Sequence, residues 1–324
     1  MIRSKLYDRT STDPSQCNGC GVCMLSCPVW RQHHTKALTS CGRNRASLGG
    51  ATEEELVSSA RACILCGSCE PLCPMGIRTQ HHTMALRQRL VRQGLVPQHG
   101  VRSGAPAPGM LAASRVLLPG RALRADAKLM ASVLDLLRLS VAYTSDDGED
   151  ISEALESGRE ISEERVRAFI GPLLKATEVV VADGLLFNAL RSLLPSSIAL
   201  SPLGQALLMN PGVQKGLKPA DFYMIETRAY NAHRREFVSV YDSVRRSTGC
   251  FMNLDLQRVA TPTGAASLQH REGLSSLVSV EAQVAWLLEG RNAERVVVEH
   301  LDDRAAFARY TRLPVVHLAE VAAP

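Results

Sequence analysis

The sequence predicts an α+β fold with two domains: a helical N-terminal domain rich in cysteine, and an α/β domain with a mainly parallel sheet. The 324 residues are enough for two ordinary domains. Nine of the 10 cysteines lie between Cys17 and Cys73, and helix and strand patterns alternate in the second half of the chain. We therefore place the domains at residues 1–96 and 128–324, with a linker at residues 97–127.

The composition is typical of a soluble globular protein. Hydrophobic residues make up 45% of the chain and charged residues 21%, and no apolar stretch approaches the roughly 18 residues that a membrane span needs. The first residues have neither the apolar core nor the cleavage site of a secretory signal. We expect a cytoplasmic protein with no membrane span, whose cysteines serve metal binding or redox chemistry rather than disulfides.

Eight cysteines form two copies of one motif. The copies read CNGCGVCMLSCP and CILCGSCEPLCP, a spacing typical of ferredoxins in which the fourth cysteine of each run binds the other run's [4Fe-4S] cluster. By this rule, the ligands of cluster 1 are Cys17, Cys20, Cys23 and Cys73, and those of cluster 2 are Cys63, Cys66, Cys69 and Cys27. Zinc is the alternative, but structural zinc usually takes two separated pairs of ligands.

Helices are expected next to the second run. Thr52 and Glu55 have the spacing of a capping box, so we predict a helix that begins at Thr52 and leads to Cys63. A second helix is expected over residues 78–93, closed by a glycine. The Gly, Ala and Pro residues between 97 and 127 are typical of a linker carrying at most a short helix.

These features resemble a known family. The paired runs, the helical insert and the CPMGI turn followed by a basic helix resemble the alpha-helical ferredoxin domain found in the C-type subunits of heterodisulfide reductases. The iron–sulfur subunits of glycolate oxidase and of anaerobic glycerol-3-phosphate dehydrogenase have related domains. The resemblance covers residues 10–96 and implies two [4Fe-4S] clusters and electron transfer. Succinate dehydrogenase iron–sulfur subunits are disfavoured, because no cysteines for a [2Fe-2S] domain precede Cys17.

Helix and strand patterns alternate beyond the linker. Helices are predicted near residues 163–176, from 185, and near 234–246 and 280–289; strands are predicted at 179–182, 222–226, 295–298 and 315–318. This alternation is typical of an α/β domain with a parallel sheet. The chain has no glycine-rich dinucleotide motif and no P-loop. The acidic stretch at residues 146–164 predicts a solvated loop or helix face.

A second resemblance concerns this half of the chain. The segments YMIETRAY, YDSVR and ATPTGA, which begin at residues 223, 241 and 260, resemble the skeleton of the cysteine-rich CCG domain that follows or partners such ferredoxins. Residues 226–229 and 260–265 stand where that family has cluster ligands, and residues 182–185 and 299–302 stand at its CP-x-C turns. None of them is a cysteine. The resemblance therefore implies a scaffold that has lost the family's cluster and its catalytic role.

The remaining cysteines and two histidine pairs are interpreted as structural. Cys41 could be a spare ligand or a redox-sensitive thiol, but a packed cysteine is favoured, and Cys250 is expected to be a buried thiol. The pairs at residues 33–34 and 81–82 follow the fourth cysteine of each run. Either pair could donate to a cluster sulfur, although solvated or helix-capping roles are favoured.

Charge indicates the class of partner. Residues 1–110 contain 13 Lys and Arg against 6 Asp and Glu, and two oxidised clusters with their thiolates would add about four negative charges. A basic face suits an acidic redox partner. Nucleic-acid binding is not expected, because only 4% of the residues are aromatic.

The sequence therefore predicts an electron-transfer subunit of a multi-subunit oxidoreductase. The expected partners are a flavoprotein, a molybdenum enzyme or heterodisulfide reductase subunits of the A and B type. No acid/base or nucleophile constellation stands out in the C-terminal half, so we expect no substrate chemistry of its own. The alternatives are a fused heterodisulfide reductase-like or glycolate oxidase-like enzyme that binds a small substrate, and an iron–sulfur redox sensor or scaffold.

Overall fold

The computed structural model describes residues 13–96, 113–141 and 146–322. The cysteine-rich region is helical, and both runs occupy irregular segments next to helices. Its helices are α1 (Pro28–His33), α2 (Ser40–Leu48), α3 (Glu53–Ala62) and α4 (Thr79–Arg92), with 3-10 turns at Pro14–Gln16, Val22–Met24 and Lys36–Leu38.

Helix α3 begins as the sequence predicts. The backbone N–H of Glu55 donates to the Thr52 hydroxyl, and the Glu55 carboxylate accepts from the Thr52 N–H at 2.8 Å, which completes the capping box. Leu56 on α3 packs against Leu86 and Leu90 on α4. The two helices therefore form a small apolar core beside the second cysteine run.

The second region alternates strands and helices. Its strands are β1 (Arg115–Leu118), β2 (Ser140–Val141), β3 (Glu178–Val181), β4 (Ala199–Pro202), β5 (Asp221–Met224), β6 (Phe251–Met252), β7 (Leu254–Asp255), β8 (Val259–Ala260), β9 (Arg295–Val298) and β10 (Val315–His317). Its helices are α5 (Gly120–Ala125), α6 (Ala127–Leu137), α7 (Glu149–Ser157), α8 (Glu163–Leu173), α9 (Gly184–Leu193), α10 (Leu203–Leu208), α11 (Pro211–Gly216), α12 (Thr227–Ala232), α13 (Arg234–Thr248), α14 (Leu268–Arg271), α15 (Val280–Leu288) and α16 (Leu301–Tyr310), with 3-10 turns at Leu256–Arg258 and Leu318–Glu320. The four strands predicted from the sequence are confirmed as β3, β5, β9 and β10.

The strands form two parallel sheets with the same topology. The first sheet has the order β2-β1-β3-β4 and the second, read in the matching direction, has the order β6-β5-β9-β10. Strands β7 and β8 form a separate antiparallel pair. Because parallel strands end at one edge of a sheet, the residues that follow β1, β3, β5 and β9 are placed where open α/β sheets commonly bind ligands.

The central strands are buried on both faces. Val179, Val180 and Val181 on β3 and the three valines at 296–298 on β9 are 0% exposed. Helices on both sides cover such strands, which explains why they read as unbroken apolar runs rather than as alternating patterns. The predicted α+β class with a mainly parallel sheet is therefore confirmed.

The structured part of this region begins earlier than the sequence predicts. Strand β1 and helix α5 lie within the predicted linker, and β1 pairs with β3 from Arg115↔Glu178 to Leu118↔Val181. The β1 segment has only four residues, three of them apolar, and is followed at once by Pro119 and Gly120. This weak strand signal is obscured by the Gly and Pro residues of the surrounding sequence. The predicted linker residues 97–112 lie outside the described part of the chain.

The acidic stretch at residues 146–164 is not a solvated face, so this prediction was wrong. Asp146 and Asp147 are buried, and Arg165 pairs with Asp146 at 2.8 Å and with Asp150 at 2.6 Å. Glu156 on α7 is buried among arginines of other segments. Buried carboxylates need such partners. The partner arginines lie outside the acidic stretch in the sequence, so the stretch considered alone does not reveal them.

Within residues 13–96, 113–141 and 146–322, no helix combines the length and apolar character that crossing a membrane requires.

Candidate metal centres

The backbone of the first cysteine run forms a series of tight turns. Asn18 caps the backbone N–H of Cys20 through its side-chain oxygen at 3.1 Å, and Gly21 adopts a left-handed conformation with φ of 77° before the turn at Val22–Met24. This backbone conformation favours glycine. Cys27 then forms the N-cap of α1.

The second run has the same local geometry. Cys63 is the C-cap of α3, and Gly67, which follows the second cysteine as Gly21 does, has φ of +73°. A Cβ atom on Gly67 would lie 2.6 Å from the Gln80 side-chain nitrogen, which itself donates to the Leu65 carbonyl at 2.8 Å. Glycine is therefore required here both by conformation and by space.

The fourth cysteine of each run lies beside the other run. Burial raises the pKa of Cys23 to about 11, with smaller contributions from the neighbouring thiols of Cys41, Cys73 and Cys17. Burial likewise raises the pKa of Cys27 to about 12, with contributions from the Cys66 and Cys63 thiols. One cavity is lined by all four cysteines expected for cluster 2, namely Cys27, Cys63, Cys66 and Cys69.

Hydroxyl groups point at several of these sulfur atoms. The Ser68 hydroxyl lies 3.4 Å from the Cys66 sulfur, and the Thr79 hydroxyl lies 2.7 Å from the Cys69 sulfur. In the first set, the Ser40 hydroxyl lies 3.8 Å from the Cys23 sulfur. Donors of this kind stabilise thiolates, and hydrogen bonds to sulfur are one determinant of iron–sulfur reduction potentials.

The two sets of cysteines differ in exposure. Cys20, which belongs to the first set, is exposed to solvent. The second set is covered by the α/β region, where Asn231 donates to the Cys66 carbonyl at 3.0 Å and Val278 packs against the same apolar cluster as Cys27 and Cys66. The second site is therefore screened from water on this side, while the first site opens to solvent.

The donor set fits iron–sulfur clusters. Each cubane iron takes one thiolate, so the four sulfur ligands of a cluster are spaced more widely than the ligands of a single metal ion. Among the residues that the structure describes, no three His, Cys, Asp or Glu side chains converge on one ion-sized site. The four thiols around the buried cavity and the hydroxyls aimed at them match what a cluster needs.

A buried network of arginines connects the second run to the α/β region. Arg87 donates to the carbonyls of Cys63 and Glu156. Arg228 donates to the Ile64 carbonyl at 3.3 Å and to the Glu156 carboxylate at 2.9 Å. The sequence did not point to these residues, because no local pattern marks an arginine whose partners lie far along the chain.

The residues outside the runs occupy structural positions, with one qualification. Cys250 is buried, as expected. Cys41 is also buried, and its pKa is raised by burial and by the neighbouring Cys17 thiol, so it lies at the first site. His33 bonds to the Leu277 carbonyl at 2.5 Å, and His34 caps α1 in a left-handed conformation. Their roles are thus interdomain contact and helix capping.

Comparison with known proteins identifies the cysteine-rich region. A family model described as a 4Fe-4S dicluster domain matches residues 16–78. This segment is a 4Fe-4S dicluster ferredoxin domain. Its bounds include all eight cysteines of the two runs, and the domain supports an iron–sulfur electron-transfer role. No curated protein and no solved structure matches the chain.

Three of the four positions that the CCG resemblance singles out lie close together. A Cβ atom on Gly184 would lie 2.2 Å from a carboxylate oxygen of Glu226, so the Gly184 backbone lies directly against this carboxylate. The Glu226 N–H donates to the Glu299 carboxylate at 2.7 Å. Tyr241 donates to the same carboxylate at 2.8 Å, and Tyr223 donates to it as well. Burial raises the pKa of Glu299 to about 7. A network of carboxylates and hydroxyls thus occupies this edge of the sheets.

A polar cavity of about 500 Å³ lies beside this network. Residues that follow β1, β3 and β9 line it, together with charged side chains that include Arg121, Arg271, Asp183 and Glu299. Its volume falls in the range of small-molecule sites, and its place at the carboxyl ends of parallel strands is where such sites occur.

Proposed function

We propose that this chain is an electron-transfer iron–sulfur subunit of a multi-subunit oxidoreductase and holds two [4Fe-4S] clusters. The ligands of cluster 1 are Cys17, Cys20, Cys23 and Cys73, and those of cluster 2 are Cys27, Cys63, Cys66 and Cys69. The observation that carries the proposal is that Cys27 shares a cavity with the second run within the dicluster domain. When bound, such clusters supply one-electron redox chemistry.

The protein contributes position and environment to this transfer. Because each run supplies ligands to both sites, the two sites are held as neighbours, which suits a relay. The Ser68 and Thr79 hydroxyls lie beside sulfurs of the second site, and the α/β region limits the access of water to it through the Asn231 contact. The exposed Cys20 leaves the first site more open to solvent.

The family assignment and partners are parts of the same proposal. A relationship to the C-type subunits of heterodisulfide reductases or to glycolate oxidase iron–sulfur subunits is supported by the motifs of the dicluster domain. The partner would then be a flavoprotein, a molybdenum enzyme or heterodisulfide reductase subunits of the A and B type, docked in part on the α/β region. A cytoplasmic location follows from the use of cysteine for metal rather than for disulfides.

The cavity of about 500 Å³ favours one alternative function. In that case, the α/β region would bind a small polar substrate, and the chain would be a complete enzyme that receives electrons from its own clusters. Purified chain that oxidises hydroxy acids or reduces disulfides with artificial electron carriers would favour this alternative. A chain that only exchanges electrons would favour the relay.

The proposal is tested by metal analysis of anaerobically purified protein. We expect about eight iron and eight sulfide per chain, with a broad absorbance near ~400 nm. Cys66→Ser should lose about half of the iron, whereas Cys250→Ser, a change of the same chemistry at a buried cysteine of the α/β region, should lose none. Stoichiometric zinc instead of iron would contradict the proposal.

A further inference from the structure

Within the described residues, two buried arginines of the cysteine-rich region donate only to neutral oxygens. Arg87 on α4 is 8% exposed, and Arg43 on α2 is 4% exposed. The acceptors are the carbonyls of Ala60, Cys63 and Glu156 for Arg87, and the Ser59 carbonyl and the Thr83 hydroxyl for Arg43. Neither guanidinium group therefore has a hydrogen-bonded carboxylate partner in the part of the chain that the structure describes.

The acidic side chains near Arg87 and the second run already have cationic neighbours. Glu156 acts on the charge of Arg87, but its carboxylate pairs with Arg228 at 2.9 Å and lies 3.7 Å from a second arginine. Glu70, which follows the third cysteine of the run, has Arg78 as a charged neighbour. Arginine stays protonated in proteins, and a buried charge without a partner is very costly. Positive charge is therefore in excess beside the second run.

This excess charge lies at the first ligand of the proposed cluster 2. Arg87 donates to the Cys63 carbonyl. Burial lowers the pKa of Arg87, and the Cys63 sulfur opposes this decrease more than Glu156 does. An oxidised [4Fe-4S] cluster with its four thiolates carries about two negative charges. When bound, it supplies the counter-charge that the side chains around Arg87 do not.

The first site has an equivalent contact, but at the surface. Arg45 donates to the Cys17 carbonyl at 3.1 Å, so the first cysteine of each run accepts a hydrogen bond from an arginine. Arg45 is exposed, whereas Arg87 is buried. Water and salt screen an exposed charge, while a buried charge acts through a medium of lower dielectric constant. We therefore expect Arg87 to influence its site much more strongly than Arg45 does.

We propose that Arg87 is the counter-charge of cluster 2 and raises its reduction potential, with Arg43 adding to the same positive field. Reduction adds one electron and takes the cluster with its thiolates from a charge of about −2 to about −3. A fixed positive charge stabilises the more negative state. Exclusion of water from the second site acts in the opposite direction, and Arg87 offsets it. This inference rests on the proposed electron-transfer function and adds a positioning residue that sets the potential of one site.

The test is an anaerobic redox titration of the full-length holoprotein with dithionite, followed by electron paramagnetic resonance. The signal that Cys66→Ser alters identifies cluster 2. Arg87→Gln removes the charge but keeps a hydrogen-bond donor. We expect the equilibrium constant for reduction of cluster 2 to fall at least about tenfold, a shift of about 59 mV to lower potential for a one-electron couple. Arg87→Lys keeps the charge and should recover most of this loss.

A variant of opposite sign separates charge from packing. Glu156→Gln removes the negative charge that partly balances the arginines here, so it should raise the potential of cluster 2. A loss of packing would shift both variants in the same direction. The matched control is Arg45→Gln, at the exposed equivalent of Arg87. It should leave cluster 2 unchanged and shift cluster 1 only slightly, by an amount that decreases as salt increases.

The outcomes distinguish this inference from the proposed function. If fully loaded Arg87→Gln protein keeps the potential of cluster 2, or if Glu156→Gln lowers that potential as Arg87→Gln does, the counter-charge is wrong while the electron-transfer function stands. Equal potentials for Arg87→Gln and Arg87→Lys have the same meaning. If Arg87→Gln does not hold cluster 2, Arg43→Gln takes its place and must lower the same potential; an unchanged potential overturns the inference. A chain without iron overturns both.

Discussion

Glu156 is the residue on which the buried connection between the dicluster domain and the α/β region depends. It is 2% exposed and accepts hydrogen bonds from Arg228 at 2.9 Å and from the Leu268 N–H at 2.8 Å. Burial lowers the pKa of Arg228, but Glu156 and Asp183 outweigh this, so its pKa lies above the usual range. Arg228 therefore stays charged and needs its partner.

Glu156→Gln removes this charge while keeping the shape of the side chain. Breaking a buried pair costs about 3–5 kcal/mol, and we expect about 3 kcal/mol because the amide oxygen still accepts a hydrogen bond. At roughly 2–4 °C per kcal/mol, Tm should fall by about 6–12 °C. The control is Glu160→Gln, since Glu160 pairs with Arg92 at 2.9 Å but is 47% exposed, and this change should cost under ~1 kcal/mol.

The assay is thermal unfolding of the anaerobic holoprotein, followed by circular dichroism and by cluster absorbance. The Glu156→Gln variant should lose both signals at a lower temperature than Glu160→Gln does. Because Arg87 joins the Glu156 carbonyl to Cys63, we expect the two signals to fall together. Equal melting temperatures for the two variants would refute the idea that this ion pair, which lies within the α/β region, holds Arg228 in place for its contact with the Ile64 carbonyl of the dicluster domain.

Three further predictions address the sites. Thr79→Ala removes the hydroxyl that lies 2.7 Å from the Cys69 sulfur. A cluster-bound thiolate can only accept, so this loss should lower the potential of cluster 2 by roughly 20–60 mV, the equivalent of one hydrogen bond; redox titration checks this, with Ser132→Ala on α6 as the unaffected control. Gly67→Ala should lose about half of the iron, because its Cβ would lie 2.6 Å from the side-chain nitrogen of Gln80. Gly50→Ala is the control: Gly50 also has a positive φ, +88°, but no atom lies within 4 Å of its Cβ position, so this variant should keep its iron. Equal iron loss in the two variants would contradict this. Burial raises the pKa of Glu299 to about 7 in the folded state, so its protonated form stabilises the fold, and this contribution is lost as pH rises from about 5 to about 8. The free energy of unfolding, measured in urea, should therefore decrease less across this range for Glu299→Gln than for the unchanged protein. An equal decrease for both would contradict the assignment.

The sequence predicted those parts of the structure that local patterns determine. The capping box of Thr52 and Glu55 gave the start of α3, and the buried valine runs of β3 and β9 gave strands in the correct places. The glycine after the second cysteine in each run has the left-handed conformation that crowding near a cluster suggests. Each of these signals needs only a few neighbouring residues.

The missed features depend on contacts between distant segments. Strand β1 is four residues long and is specified by its pairing with β3, which its own sequence barely indicates. The acidic stretch was expected at the surface because Arg165 and Arg228, which neutralise it, are identified only by the fold. The proximity of Cys41 to Cys17 likewise arises from the position of α2.

The arrangement of the cysteines is also a long-range property, and the proposed relay depends above all on crossed ligation of the two clusters. Electron paramagnetic resonance of reduced single-cysteine variants tests this most directly. If ligation is crossed, Cys27→Ser should alter the same cluster signal as Cys66→Ser, and Cys73→Ser should alter the same signal as Cys20→Ser. A Cys27→Ser spectrum that matches Cys20→Ser instead would show that each run binds its own cluster, and crossed ligation would be wrong.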